Sequence, residues 1–202
     1  MSWIKQLRFA ATPRRSTSSL GNVELIARLS HGETLGDRVL KVNHAGEHGA
    51  VNIYRGQRLA CWWRDAELRS ALEEFRSHEE AHRAIFANEL ARRGRRRCRS
   101  YSLCGIGGFG LGFVTGLCGR ASIAATTVAV ERVVLRHLDE QLSALRGIDT
   151  AAVSAIEAIL EDERAHHDKA ALEPSQGIFW PRVLRPVVSA ATEFVIWLGM
   201  RL

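Results

Sequence analysis

The sequence predicts an all-α protein, a four-helix bundle with an apolar hairpin inserted between the second and third helices and an apolar helix at its C-terminal end. Three observations carry this reading. Apolar residues recur at spacings of three and four along four long stretches, which is the period of a helix with one buried face. The prolines are Pro13, Pro174, Pro181 and Pro186, all outside those stretches. Finally, two triplets of acidic and imidazole side chains repeat: adding 84 to Glu47, Glu79 and His82 gives Glu131, Glu163 and His166.

The four bundle helices follow in order. From about 37 to 66, Leu40, Asn43, Glu47, Val51 and Tyr54 form one stripe, with Gly46 and Gly49 flanking Glu47. Glycine inside a helix costs roughly 1 kcal/mol, so two beside a carboxylate predict that something approaches the backbone closely there. From about 67 to 93, Leu68, Leu72, Phe75, Glu79, His82 and Phe86 step by four and three. From about 121 to 145 the stripe is Ile123, Thr127, Glu131, Val134, Leu138, Leu142 and Leu145. The turn Arg146–Thr150 places Gly147 as a helix stop and Asp149 or Thr150 as the next cap. From 151 to about 172, Ile156, Leu160, Glu163, His166 and Ala170 complete the set. A last apolar helix runs from 187 to 202, interrupted by Glu193.

Between the helix pairs, Arg92, Arg93, Arg95, Arg96, Arg97 and Arg99 form a basic cluster. The next stretch, Ser100 to Gly119, has no charge and many glycines. Its length approaches the roughly 20 residues that span a bilayer, and with so many glycines a hairpin dipping into one leaflet, with the arginines on anionic headgroups, fits equally well. Tyr101 is the one aromatic beside that cluster, so it lacks the stacking residues of a nucleic-acid binder, and no nucleic-acid partner is expected.

Length and composition fit one domain with a real core, 46% of 202 residues being apolar. That domain is expected over 24–202. Residues 1–23 contain no acid, carry Lys5, Arg8, Arg14 and Arg15, and place Trp3, Ile4, Leu7 and Ala11 on one helical face. They read as a basic tail, a targeting segment or an interfacial helix rather than a secretion signal. Cys61, Cys98, Cys104 and Cys118 form no Cys-x-x-Cys pair and read as reduced, mostly buried thiols.

The triplets carry the chemistry. Of eight histidines, His82 and His166 are those with Glu three positions earlier, and residues three apart share a helix face. Four carboxylates pointing inward without partners would each cost several kcal/mol to bury. Two divalent cations would balance them, and a Glu from each of two helices plus Glu-x-x-His from the other two is the ligand set of a di-iron or di-manganese carboxylate centre. One His per metal with the rest oxygen disfavours zinc, and oxygen chemistry favours iron.

On these residues the chain resembles the demethoxyubiquinone hydroxylase family of ferritin-like di-iron proteins, over roughly 37–202. The run Lys41-Val42-Asn43-His44-Ala45-Gly46-Glu47-His48-Gly49-Ala50 carries most of the resemblance. Glu79-Glu80-Ala81-His82, Thr127-Val128-Ala129-Val130-Glu131 and Glu163-Arg164-Ala165-His166-His167-Asp168 supply the rest. The resemblance implies a ferritin-like bundle holding two Fe ions on Glu47, Glu79, His82, Glu131, Glu163 and His166. It implies hydroxylation of a polyprenyl demethoxybenzoquinol ring with O2, and NADH as the ultimate electron source. The partners implied are a membrane-embedded polyprenyl quinone substrate, an anionic lipid surface, a lipid-binding accessory protein and further copies of the chain. The expected location is peripheral, on the cytoplasmic face of a bacterial inner membrane or the matrix face of the mitochondrial one. Two departures stand out: Leu138 follows His137 where the family usually has Tyr, and His48 stands where a smaller or aromatic residue is common. His44 and His167 fall off the triplet pattern and at most support the ligands. Another ferritin-like oxidase or peroxidase, or a metal-free membrane-binding protein, stays open as an alternative.

Overall fold

The computed structural model describes residues 25–63, 66–173 and 179–202. The basic N-terminal stretch and its apolar face lie outside the described residues. Six α-helices follow one another: α1 Leu35–Ala60, α2 Ala66–Arg92, α3 Tyr101–Cys118, α4 Arg120–Leu145, α5 Thr150–Ala171 and α6 Arg185–Gly199, the last preceded by a π-helical turn, Trp180–Leu184. The described residues contain no strand, and the all-α class predicted from periodicity holds.

Local chemistry sets the helix ends. Thr34 caps α1, its hydroxyl accepting from the Asp37 N–H while the Asp37 carboxylate accepts from the Thr34 N–H. Asp149 caps α5 by accepting from the Ala152 N–H at 3.0 Å, two residues after Gly147 at φ 77°. Arg93 then ties these starts to the end of α2. Its guanidinium donates to both Asp149 oxygens at 2.7 Å, to Asp37 at 3.2 Å and to Glu89 at 2.6 Å. Arg95 also reaches Asp37 at 2.9 Å, and Arg92 pairs with Glu89. The arginine cluster expected on lipid headgroups is therefore divided: Arg93 and Arg95 hold the bundle together, because two helix N-termini bring their capping acids there.

The two largest core clusters lie along the bundle. One gathers Leu40, Phe86, Leu138, Leu142, Leu145, Ile156 and Ile159. The other gathers Tyr54, Cys61, Leu68, Leu72, Phe75 and Ile123. The two triplets sit at intermediate positions on the same four helices, between these apolar ends. Of the four thiols, Cys61, Cys98 and Cys104 are buried and unbridged and Cys118 is exposed.

The apolar insertion differs from expectation. Instead of a two-armed hairpin it is one continuous helix, α3, laid along α1. Its glycines explain why. Gly105, Gly108, Gly112 and Gly116 share the face turned to α1, and a Cβ on Gly108 or Gly112 would collide with the carbonyl oxygen of Gly49 or Ile53. On the α1 side a Cβ on Gly56 would come within 2.6 Å of the Phe113 nitrogen. Small residues at this spacing let two backbones close up, so the glycines serve helix packing rather than a turn. The opposite face of α3 exposes Leu103, Ile106, Phe109, Phe113, Val114 and Leu117, and α6 exposes Val187, Phe194 and Trp197. α3 is long and apolar enough to cross a membrane by length and composition, but a third of it is buried against the bundle.

The segment before α1 is fixed by charge. Glu33, buried at its carboxylate, accepts from Arg38 at 2.6 Å, Lys41 at 2.7 Å and the Ser30 N–H at 2.8 Å. Burial alone would raise its pKa, but Lys41, the Ser30 N–H and Arg38 outweigh it and pull it down to about 2. A depressed carboxylate contributes stability above its unfolded pKa and loses it as pH falls through the folded one. Acid unfolding monitored by circular dichroism should therefore show a loss between about pH 4.5 and 2 amounting to at most roughly 3 kcal/mol, and Glu33→Gln should remove that component.

Candidate metal centre

α1 contributes Glu47, α2 contributes Glu79 and His82, α4 contributes Glu131 and α5 contributes Glu163 and His166; all six are buried. They fall into two overlapping groups. Glu47, Glu79, His82 and Glu163 bring one donor atom each within 4.8 Å of one another, and so do Glu79, Glu131, Glu163 and His166. Glu79 and Glu163 belong to both groups, so they sit where carboxylates would bridge two ions. Glu47 and Glu131 belong to one group each.

The contacts are crossed between the helix pairs. Nδ1 of His82 on α2 lies 2.8 Å from Glu163 Oε1 on α5, and Nδ1 of His166 on α5 lies 3.2 Å from Glu79 Oε1 on α2. None of these four buried atoms has a hydrogen bond of usable geometry. Buried polar atoms are almost always satisfied, and four orphans facing one centre point to a missing bonding partner. Oxygen and imidazole donors, both nitrogens presented through Nδ1, suit a pair of divalent transition-metal cations.

The electrostatics agree. Burial first, then the charges of Glu163 and Glu79, push the Glu47 carboxyl well above its ordinary range. Burial and then Glu163 do the same to Glu131. Burial would raise Glu163 as well, but contact with His82 outweighs it and holds that group low. His82 is raised to about 9, Glu163 and Glu79 outweighing its burial. Burial and then Glu131 raise Tyr54, whose hydroxyl lies 3.5 Å from Glu131 Oε1.

Two residues that hold the imidazoles were not singled out in the sequence. Nε2 of His82 meets Asp162 at 3.1 Å, and Nε2 of His166 meets His78 Nδ1 at 2.9 Å, the two rings stacked. A second partner of this kind fixes which ring nitrogen faces a metal. The signal was available, since His78 and Asp162 are themselves 84 residues apart and each directly precedes a Glu-x-x-His. By contrast, His44 packs near Tyr101, His167 pairs with Asp168 and His48 stacks on Tyr101 at 3.9 Å. None of the three contacts is with the six central side chains.

Gly46 marks a further feature: a Cβ there would meet nothing within 4 Å. It lines a largely apolar cavity of about 270 Å³ that begins at Glu47, Glu79, Glu131 and Glu163 and runs outward between α3 and α6. The close approach foreseen beside Glu47 is thus α3 at Gly49, next to Cys104, and open space at Gly46.

A family model described as ubiquinone biosynthesis protein COQ7 matches residues 34–199. The chain belongs to the COQ7 family. Curated relatives include a 3-demethoxyubiquinol 3-hydroxylase of Rhodospirillum rubrum, 32% identical over 82% of this chain and 77% of that protein. A protein of Dictyostelium discoideum named NADPH-dependent 3-demethoxyubiquinone 3-hydroxylase, mitochondrial, is 36% identical over 82% of this chain and 76% of its own length. The human protein of the same name is 32% identical over 94% and 91%.

Within this COQ7 bundle the departure at Leu138 acquires a structural meaning. Leu138 lies 84 residues after Tyr54, so it is the counterpart of the tyrosine that reaches Glu131. It is buried among core leucines and borders the cavity with Glu47. The two ends of the centre are therefore unequal, a phenol facing Glu131 and a hydrocarbon standing in the matching place beside Glu47. His137 next to it lines the cavity and is held at 2.9 Å by Glu193, the one acid of α6.

Proposed function

We propose that this chain hydroxylates the ring of a polyprenyl demethoxybenzoquinol in ubiquinone biosynthesis, as a 3-demethoxyubiquinol 3-hydroxylase using O2. Glu47, Glu79, His82, Glu131, Glu163 and His166 would hold two iron ions, Glu79 and Glu163 shared between them. When bound, that pair supplies the activation of O2 and accepts the electrons the reaction needs. The names of the Dictyostelium and human relatives specify NADPH. We read the donor as a reduced nicotinamide nucleotide, NADH by family resemblance, and turnover with each donor decides between them.

The observation that carries the reading is the cavity. It joins the carboxylates to a mouth where Leu103, Gly107 and Ala191 are exposed, between two helices that also expose large apolar side chains such as Ile106, Phe109, Phe194 and Trp197. A substrate with a long isoprenoid tail stays in the bilayer, so its ring must enter from a lipid-facing side. Inside, Asn43 and Gln141 hydrogen-bond each other at 2.8 and 3.1 Å, and with His137 and Thr192 they are the uncharged or weakly basic polar groups of an otherwise apolar wall. They can hold ring oxygens while the apolar wall excludes water from the reacting carbon. The same exposed faces support a peripheral position with α3 and α6 toward the membrane, and a single domain over 24–202 with residues 1–23 as a separate tail completes the proposal.

Anaerobic purification with iron quantitation, followed by turnover of a demethoxyubiquinol with O2, tests the reading. Iron at two ions per chain with the hydroxylated product supports it; no bound metal sinks it. Gly46→Leu adds a second arm. Its side chain enters open cavity rather than packed core, so iron content and unfolding midpoint should hold while KM rises by about tenfold or more, the effect of roughly 1.4 kcal/mol of lost ring binding.

A further inference from the structure

Where the N-terminal segment meets the end of α6, close to the start of α3, the chain forms another pocket. Arg28, Arg38, Arg99 and Arg201 line it, with Leu29, Ser30 and Leu202 completing the wall; its volume is about 370 Å³. We propose that this pocket binds a phosphate group, and that the phosphate is the headgroup of an anionic phospholipid lying beside the apolar faces of α3 and α6.

Three observations support a built site. Arg38 is 2% exposed, and its position is fixed by Glu33 at 2.6 Å and by the Gly199 carbonyl at 3.0 Å, yet its Nε–H has no acceptor. A buried guanidinium donor without a partner is costly and rare, and here the side chain carrying it lines the cavity. Next, among the described residues Arg28 and Arg99 make no ion pair, unlike Arg92, Arg93 and Arg95 a few residues away, so their charge can serve an outside anion. Arg201, which also lines the pocket, is held over the Trp197 ring at 4.3 Å and donates to the Trp197 carbonyl at 3.2 Å. Even with Glu33 set against them, and with Glu33 also shared by Lys41, the arginines leave net positive charge. Planar guanidinium groups converging on one space are the usual protein answer to phosphate.

The location favours a lipid as the source. Arg99 directly precedes α3, and Gly199 at the end of α6 packs near Ser100. Trp197 and Leu29 are exposed beside the pocket, so apolar surface and phosphate donors lie together at one edge, the pattern of a headgroup site at a membrane interface. The pocket itself stands apart from the hydroxylase reading; only the choice of a lipid source rests on its membrane-facing surface.

The test uses the full-length metal-loaded protein and vesicles of phosphatidylcholine, with or without phosphatidylglycerol, plus pyrophosphate in solution. The paired variant Arg28→Gln with Arg99→Gln changes exposed side chains and spares Arg38. Arg92→Gln with Arg146→Gln removes equal charge elsewhere. The pocket variant should lose about thirtyfold in affinity for phosphatidylglycerol vesicles, with the control pair losing much less. Pyrophosphate should compete with those vesicles and raise the unfolding midpoint of the native protein but not of the pocket variant. A pyrophosphate effect that needs the pocket, without any preference for phosphatidylglycerol, keeps the phosphate site and overturns its lipid source. Equal losses in both pairs, or no pyrophosphate effect, overturn the site. Unchanged iron content and turnover in solution with a short-tailed quinol separate these outcomes from a failure of the hydroxylase assignment.

Discussion

Glu163→Ala and Glu79→Ala are each expected to empty both metal positions, whereas Glu47→Ala or Glu131→Ala should weaken one of them. The asymmetry follows from geometry: Glu79 and Glu163 belong to both donor groups and the other two carboxylates to one each. Turnover in the shared-carboxylate variants should fall by more than about 100-fold, beyond what loss of an outer hydrogen-bond partner costs a metal site. Iron quantitation on each purified variant checks the order. Equal iron loss in all four would mean that the shared positions have no bridging role.

The same cluster predicts a stability trend with a definite sign. Glu47 and Glu131 are raised above the ordinary carboxylate range, and His82 is raised to about 9. A carboxyl raised on folding stabilises the native state below its unfolded pKa and loses that contribution as pH climbs. A raised imidazole stabilises below about 6.5 and loses its contribution as pH passes its folded value. Both therefore act in one direction, and the chelated protein should become less stable from about pH 4.5 toward 9. Metal reverses the trend, because ligands bind it deprotonated and affinity grows with pH. The gap between unfolding midpoints of loaded and chelated protein should widen steadily over that range. In the chelated protein Glu47→Gln should raise the midpoint at neutral pH by several degrees, at about 2–4 °C per kcal/mol for a chain of this size. A stabilised protein that no longer holds iron normally is the mark of side chains placed for chemistry rather than for folding.

What was legible beforehand divides along physical lines. Helix periodicity survives in the stripes from Leu40 to Tyr54 and from Leu68 to Phe86, since a buried helical face must be written every three or four residues. The six central side chains were legible for the same reason, a repeat in sequence becoming a repeat in space. His78 and Asp162 obey that repeat too, but as partners of the opposite helix pair, and only tertiary packing shows which imidazole each one meets. Within the arginine cluster the structural role of Arg93 is not legible, because Arg93 looks like its neighbours in sequence and is set apart by facing Asp37 and Asp149. The glycine-rich run was the hardest. Glycine permits a turn, a leaflet-dipping hairpin or a close helix contact equally, and composition alone does not choose among them.

Two glycines one turn-fraction apart on α3 decide that last point. Gly112→Val should destabilise the protein by about 3 kcal/mol or more, at the upper end of overpacking costs, because its side chain would enter backbone rather than a flexible neighbour: the Ile53 carbonyl lies in its way and α1 cannot give locally without breaking its own ladder. Gly110→Ala, on the outward face with nothing within 4 Å, should instead stabilise α3 by up to about 1 kcal/mol through helix propensity. Urea unfolding of both variants reads the difference. A flexible hairpin in a leaflet would make the two substitutions nearly equivalent, whereas a helix seated on α1 makes them opposite in sign. The consequence reaches the site, because Gly107, Gly108 and Leu111 of α3 wall the cavity that starts at Glu47. If Gly112→Val lifts α3, turnover of the long-tailed substrate should fall well before iron is lost, since the six donor side chains come from α1, α2, α4 and α5 and none from α3. Simultaneous loss of iron and turnover would mean that α3 supports the metal helices themselves, not the substrate route alone.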